Sequence, residues 1–349
     1  MREREYGIDI IKSLAIFFVI IIHGLSFSTL KFIKISNENV SFLVVILQIL
    51  SMSAIPLFLM VSGYLGAISL REDLQTKKYT PLLISYFVAV SISLIFDHFY
   101  HRDKLSLKNV IAEYFDLNSG NYSWYVLMYM LFLLIIPYIN IVIRQLKDKN
   151  KFRQVVLIST LITAIAPFIN SLTTSLAWPI TYPAFFVNLY PITYYLIGAY
   201  IKTYKVKFNK LALLLCLLVL VLSLSCFIQF WYQGGKADFD IYGSYASISY
   251  LMIALLIFLL LYDLKIKRKT IQNFFVSISI STLDIYLISH VFDRIFYPLY
   301  NDKINRVNDL LVFLLIPVLA TFASSYIYAK ILLKLRTLAK NKPINNKTD

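Results

Sequence analysis

The stretch GIDIIKSLAIFFVIIIHG, residues 7–24, decides the fold. It is apolar over a length that crosses a bilayer, yet it contains Asp9 and Lys12 near one end and His23 near the other. An ionisable group in a spanning helix costs about 3 kcal/mol on insertion scales, so such groups usually face a polar interior and mark a functional site. At about 100° per residue, the three side chains fall on one helical face, with Lys12 and His23 about 16 Å apart along it. This face could line an elongated ligand or a channel.

The composition indicates a polytopic membrane protein. Of 349 residues, 59% are hydrophobic and 15% charged, and the mean hydropathy is +0.69; soluble domains carry about 25% charged residues. The net charge of +15 does not indicate a nucleic-acid partner, because the basic residues lie in short connections between apolar segments. We therefore expect membrane lipid around the protein and no nucleic acid.

Ten apolar segments are long enough to span a membrane. We predict an all-α bundle of about ten transmembrane helices, at residues 8–27, 42–68, 81–97, 124–143, 152–169, 185–202, 211–231, 245–263, 274–292 and 309–333. The ninth segment is polar for a span, which burial inside the bundle would explain. The prediction is a single transmembrane domain over residues 1–340 and a short polar cytoplasmic tail at 341–349.

The distribution of basic residues predicts the orientation. Of the 34 Lys and Arg residues, 24 lie in the alternate set of connections that includes both termini, 9 lie in the other set, and Lys12 lies within the first span. Because positive residues concentrate on the cytoplasmic side, both termini are predicted to be cytoplasmic. An even number of spans follows from this alternation.

The ionisable residues each have a structural and a functional interpretation. His23 is either a histidine satisfied within the bundle or a general base, since neutral imidazole accepts a proton at physiological pH. Lys12 either extends toward the headgroups or binds phosphate. The basic residues after the second span have the same two interpretations, membrane topology or a phosphate clamp; they are Arg71, Lys77 and Lys78.

Other motifs are less specific. Trp124 and Tyr125 suit an interfacial aromatic belt or an apolar platform under a sugar ring. In the second span, Ser62 and Gly63 favour close helix packing, although Ser62 is also a candidate substrate-binding residue. The outer-loop residues Asp97, His98 and His101 lack the frame of a metal site, and we predict none. Asp284 and His290 are predicted to lie on opposite faces of the ninth helix.

Taken together, these motifs resemble membrane-bound acyltransferase family 3. The first segment matches the family pattern of a basic residue followed ten residues later by histidine, through Asp9, Lys12, Ala15 and His23. Four further segments match in order: PLFLMVSGYL (residues 56–65), the basic turn 77–81, SWYVLMYMLFLLIIPYIN (123–140) and DIYLISHVF (284–292). The chain departs from the pattern in two places. Lys12 replaces the commoner arginine, and His290 falls one residue later than usual.

The resemblance implies an integral-membrane enzyme of the bacterial cytoplasmic membrane. It would transfer an acyl group, usually acetyl, from cytoplasmic acyl-CoA to a hydroxyl of a surface polysaccharide or lipid-linked glycan, with acyl-CoA as donor substrate and no tightly bound cofactor. Under this interpretation His23 and Asp9 are catalytic. Four cations bind the donor, namely Lys12, Arg71, Lys77 and Lys78, and three residues bind the acceptor, namely Trp124, Tyr125 and Ser62.

A glycan exporter, or an export subunit, is the alternative. In that case Asp9, Lys12 and His23 would line a transport pathway. Binding of acetyl-CoA distinguishes the two hypotheses, because an exporter has no need of the coenzyme.

Overall fold

Helix α1 (Tyr6–Phe27) lies at the centre of the computed structural model. The structure describes residues 4–27, 39–67, 76–101, 106–115, 122–165, 169, 184–231, 245–301 and 307–340, which contain helices and no strand. After α1 come α2 (Asn39–Ser51), α3 (Ala54–Gly66), α4 (Thr76–Phe96), α5 (Leu107–Phe115), α6 (Ser123–Gln145), α7 (Lys149–Thr160), α8 (Ala184–Val187), α9 (Tyr190–Tyr204), α10 (Lys210–Trp231), α11 (Ile248–Leu261), α12 (Lys269–Ser279), α13 (Thr282–Phe296), α14 (Pro298–Asn301) and α15 (Val307–Lys340). π-helical turns follow α4 at Asp97–His101 and α7 at Leu161–Ile165.

Six helical stretches of the described chain are long and apolar enough to cross a membrane. They are Tyr6–Ser26, Phe42–Gly66, Tyr79–Tyr100, Trp124–Gln145, Lys210–Ile228 and Leu314–Leu338. The pair α12 and α13 adds a seventh if it forms one broken span. The all-α membrane fold is therefore confirmed. The count of about ten spans, the domain limits and the cytoplasmic termini stay predictions, and the tail at 341–349 lies outside the described residues.

Two predicted spans are broken helices. The segment predicted at 42–68 is interrupted between α2 and α3, at Met52 and Ser53. The segment predicted at 274–292 is not one straight helix: α12 and α13 meet at a 66° bend. At this bend the Lys12 ammonium donates a hydrogen bond to the carbonyl oxygen of Ser279, at 2.5 Å. Because the last carbonyls of a helix lack partners within it, Lys12 caps the end of α12.

Helix α1 packs against α2, α3, α11, α12, α13 and α15. Ile11, Ala15, Ile16 and Ile20 are completely buried along it. These residues recur at intervals of four and one, so they cover a broad part of the helix surface. The central position of α1 brings its polar face into contact with several helices at once.

Helices α3 and α9 cross at two glycines. A Cβ added to Gly63 would lie 2.0 Å from the carbonyl oxygen of Tyr195, and one added to Gly198 would lie 2.0 Å from that of Met60. Each glycine therefore admits the backbone of the other helix, as small residues do at membrane helix crossings. The predicted packing role of Gly63 is confirmed, and this crossing holds α3 beside α1.

Candidate active site

His23 lies against Tyr122, the residue before α6. Their rings stack with centroids 3.5 Å apart and planes 21° apart. The Nδ1 atom of His23 is buried and has no hydrogen-bond partner among the described residues, although the residue as a whole keeps some exposed surface. A buried polar atom without a partner requires an explanation. A ligand or water held at this imidazole provides one.

Tyr122 adopts an uncommon backbone conformation. Its φ of 58° and ψ of 11° lie in the left-handed region, which costs a non-glycine residue about 1–3 kcal/mol and occurs preferentially at functional sites. Its hydroxyl donates to the Oδ2 atom of Asp293 at 2.8 Å. Its carbonyl oxygen accepts a hydrogen bond from the Tyr286 hydroxyl at 2.5 Å. Burial raises the pKa of the Tyr122 hydroxyl well above its ordinary value, so this group is a neutral donor.

An apolar cavity of about 290 Å³ opens beside this cluster. Most of its wall is aliphatic or aromatic, and its polar groups belong to Lys12, Ser62, Tyr125, Tyr129, Thr282 and Tyr286. Tyr286 connects the cavity to the histidine, because its ring centroid lies 5.9 Å from that of His23. The cavity suits a slender, largely apolar group with a few hydrogen-bonding atoms.

A second, charged cavity of about 470 Å³ lies at the beginning of α1. Two ion pairs line it. Arg4 binds Asp9 through both carboxylate oxygens, at 2.8 and 2.9 Å, and Lys202 binds Glu5 at 2.6 Å. The hydrogen bond to Asp9 raises the pKa of the Arg4 guanidinium, so Arg4 is a permanent cation.

The two cavities share two lining residues, Lys12 and Leu65. Polar and aromatic side chains therefore follow one another from Arg4 and Lys202 in the charged cavity, past Lys12, to Tyr286 and His23. Their order follows the polar face predicted for α1. The arrangement can hold an elongated ligand with an anionic end, an apolar stem and a reactive end near the imidazole.

The structure brings some predicted site residues together and separates others. Ser62, Tyr125 and Lys12 line the apolar cavity, and Ser62 lies within 3.3 Å of the Tyr129 hydroxyl. Asp9 lies with Arg4, fourteen residues from His23 on α1 and so about 21 Å away along the helix. Trp124 stacks on Tyr245, with ring centroids 5.8 Å apart.

The remaining predicted cations fall where the structure gives no side chain. Arg71 lies outside the described residues. Lys77 and Lys78 belong to the first turn of α4, but their side chains are outside the described part of the chain. Their role in donor binding stays a prediction. Among the described residues no group of three His, Cys, Asp or Glu side chains could hold a metal ion.

Asp284 and His290 have different neighbours, as their predicted opposite faces require. Asp284 pairs with Arg336 at 3.0 Å, whereas the His290 ring lies edge-on to Tyr122 at 4.9 Å. Asp293 was missed by the sequence interpretation. Its spacing of three residues from His290, which places both on one helical face, could have indicated it. Nothing in the sequence around Tyr122 indicates its contact with His23.

Comparison with protein families decides the class of this site. A family model described as an acyltransferase domain matches residues 5–330. The chain belongs to acyltransferase family 3. Comparison with curated proteins and with solved structures gives no match. The match covers α1 to α14 and most of α15, so the His23 cluster and the apolar cavity of this membrane acyltransferase lie within the family domain, and so does the charged cavity apart from Arg4.

Proposed function

We propose that this acyltransferase moves an acyl group, best exemplified by acetyl, from acyl-CoA to a hydroxyl of a cell-surface glycan. The observation that carries the proposal is the pair of cavities that share Lys12 and Leu65 as lining residues. One is charged, and the other is lined by Tyr286, whose ring centroid lies 5.9 Å from that of His23. A donor with a phosphorylated end, a long arm and a terminal thioester matches the charged cavity, the apolar cavity and the imidazole of His23, in that order.

The charged cavity suits the phosphates of the donor. Arg4 can bind phosphate through two parallel hydrogen bonds, and Lys12 and Lys202 act as point charges. The predicted cations Arg71, Lys77 and Lys78 would extend this site. The donor is a substrate that leaves as free coenzyme, so the proposal includes no tightly bound cofactor. Asp9 acts here by holding Arg4, at the donor end rather than beside His23.

The chemical step requires a base near the thioester. In the direct route, His23 accepts the proton of the acceptor hydroxyl while that oxygen bonds to the acyl carbon. The carbon–sulfur bond breaks, and the coenzyme thiolate takes the proton from His23. In the alternative route, His23 carries the acyl group transiently before the acceptor takes it. Both routes return the enzyme to its starting state.

The acceptor would meet the acyl end of the donor in the apolar cavity. Tyr125 and Ser62 line the apolar cavity, and Trp124 lies next to Tyr125 with ring centroids 6.0 Å apart. Aromatic rings with nearby hydroxyl groups suit the apolar faces and hydroxyls of a sugar. The acceptor is therefore proposed to be a surface polysaccharide or a lipid-linked glycan, modified at the bacterial cytoplasmic membrane.

Mass spectrometry of surface glycans tests this function. Cells with and without the protein are compared, and acylated sugars should be present only when the protein is made. The mass difference identifies the acyl group, and fragmentation identifies the acceptor sugar. Identical glycans in both cells contradict the proposal. Export of unmodified glycan that depends on the protein, without binding of acetyl-CoA by the purified protein, supports the exporter instead.

Lys12 should determine donor affinity. Removing its charge with Lys12→Met takes away a cation that lies in both cavities and the cap of α12. We expect the KM for acyl-CoA to rise by about tenfold, as loss of one charge-assisted hydrogen bond predicts. Steady-state kinetics in detergent measure the effect. Lys12→Arg, which restores the residue common in the family pattern, is the matched control and should keep KM within about threefold. Equal donor affinity in Lys12→Met and the wild type contradicts the assignment.

A further inference from the structure

Tyr122 occupies a position between His23 and a completely buried carboxyl group. One face of its ring stacks on the imidazole at 3.5 Å, and its hydroxyl donates to Asp293, which has no exposed surface. The hydrogen bond from Tyr286 to its carbonyl oxygen fixes the backbone at the same residue. Three contacts therefore determine where this ring lies.

The stack has an electrostatic consequence. The face of a phenol ring is negative and attracts a cation placed over it. A phenol that donates its hydroxyl proton to a carboxyl oxygen gains electron density on the ring, which strengthens the attraction. A neutral imidazole gains little from this contact, whereas a protonated imidazole gains much. The contact is therefore stronger in the state in which His23 holds the proton of the acceptor.

We propose that Tyr122, held by Asp293, is a positioning residue that stabilises the protonated ring of His23 during acyl transfer. This proposal rests on the function proposed above for His23. Because the stabilisation is larger in the transition state than in the ground state, it increases turnover rather than substrate affinity. It also accounts for the left-handed conformation of Tyr122, which aims the ring at His23 and the hydroxyl at Asp293.

Other titratable groups surround the histidine and must be kept constant in any test. From α13 and the residue after it these are Tyr286, His290, Asp293 and Tyr297, and Arg294 faces His290. Tyr122, the residue before α6, is a further titratable group beside His23. A variant that changes Tyr122 or Asp293 alone leaves the other groups in place.

Kinetics of three variants test the proposal. Tyr122→Phe keeps the stacked ring and removes the hydroxyl, Asp293→Asn replaces the carboxyl group by an amide, and Tyr122→Leu removes the ring. We expect kcat to fall at least tenfold in the first two and further in the third, while the KM for acyl-CoA stays within twofold. Tyr326→Phe removes a phenol hydroxyl that contacts Ser277 instead, and its kcat should equal that of the wild type.

A second measurement does not depend on turnover. Diethyl pyrocarbonate modifies neutral histidine, and peptide mass spectrometry can follow the modification of His23 alone as the pH is varied. We expect half-modification of His23 at a pH lower by at least 0.5 in Tyr122→Phe and Asp293→Asn than in the wild type. An unchanged half-modification pH in both variants overturns the proposal. Absence of acyl transfer by the wild type overturns the proposed function, whereas the modification experiment still tests the contact.

Discussion

Replacing His23 by alanine should abolish acylation of the surface glycan while the protein still accumulates in the membrane. The imidazole stacks on Tyr122, its ring centroid lies 5.9 Å from that of the cavity-lining Tyr286, and its Nδ1 atom has no hydrogen-bond partner among the described residues. General acid–base catalysis contributes roughly 10²–10⁴-fold to a rate. We therefore expect transfer from labelled acetyl-CoA to fall by at least about 100-fold in membranes that contain the variant.

The same substitution elsewhere provides the control. His98→Ala removes an exposed histidine from the π-helical turn after α4, and both activity and membrane accumulation should remain at the wild-type level. His23→Gln, which keeps a polar side chain of similar length, should be as inactive as His23→Ala because an amide cannot accept the proton. Normal glycan acylation in cells that make only the His23→Ala protein would exclude His23 as base and as acyl carrier.

Helical periodicity was sufficient to predict the polar face of α1. Lys12 and His23 are eleven residues apart on one helix, which is about three turns at 3.6 residues per turn. Their common face therefore follows from the local sequence alone. The all-helical membrane fold was predictable for a similar reason, because each spanning segment is a continuous run of mostly apolar residues in the sequence. The breaks in these helices were less predictable. At the bend between α12 and α13, the carbonyl oxygen of Ser279 is capped by Lys12, which lies 267 residues away in the sequence.

The partners across the site were not predictable from a single sequence. Asp9 was identified as an ionisable residue in a span; its partner Arg4 is only five residues away, but it lies before α1, where helical periodicity does not give its position. The other contacts join distant parts of the chain. Lys202 is the last residue of the predicted span at 185–202, and the structure pairs it with Glu5 in the charged cavity. Tyr122 and Asp293 are 171 residues apart. Such contacts follow from tertiary packing, which no local periodicity encodes.

Asp284, the first residue of the family segment DIYLISHVF, makes contacts that hold helices together. Asp284 is buried and accepts hydrogen bonds from both terminal nitrogens of Arg336, at 3.0 and 3.2 Å, and Arg336 also binds Ser85. The pair ties α13 to α15 and α4. Neither residue lines the two cavities described above. A motif residue in this position is explained by the assembly of the bundle without a role in catalysis.

Asp284→Asn should therefore destabilise the protein by about 3 kcal/mol, because it leaves the Arg336 cation without its counter-charge. This is the low end of the range for buried pairs, since the Arg336 side chain is 26% exposed and that of Asp284 8%. Thermal melting in detergent and the amount of folded protein in the membrane measure the loss. Asp263→Asn breaks an exposed pair with Lys210, with side chains 36% and 42% exposed, and should cost less than about 1 kcal/mol.

A double variant separates a structural role from a catalytic one. Asp284→Asn combined with Arg336→Gln removes both charges, so the uncompensated cation of the single variant disappears. We expect the double variant to regain most of the lost melting temperature and, with it, glycan acylation. A double variant that is as stable as the wild type but inactive would instead assign Asp284 or Arg336 to the reaction. A single variant with wild-type melting would show that the pair contributes nothing to holding α13 against α15.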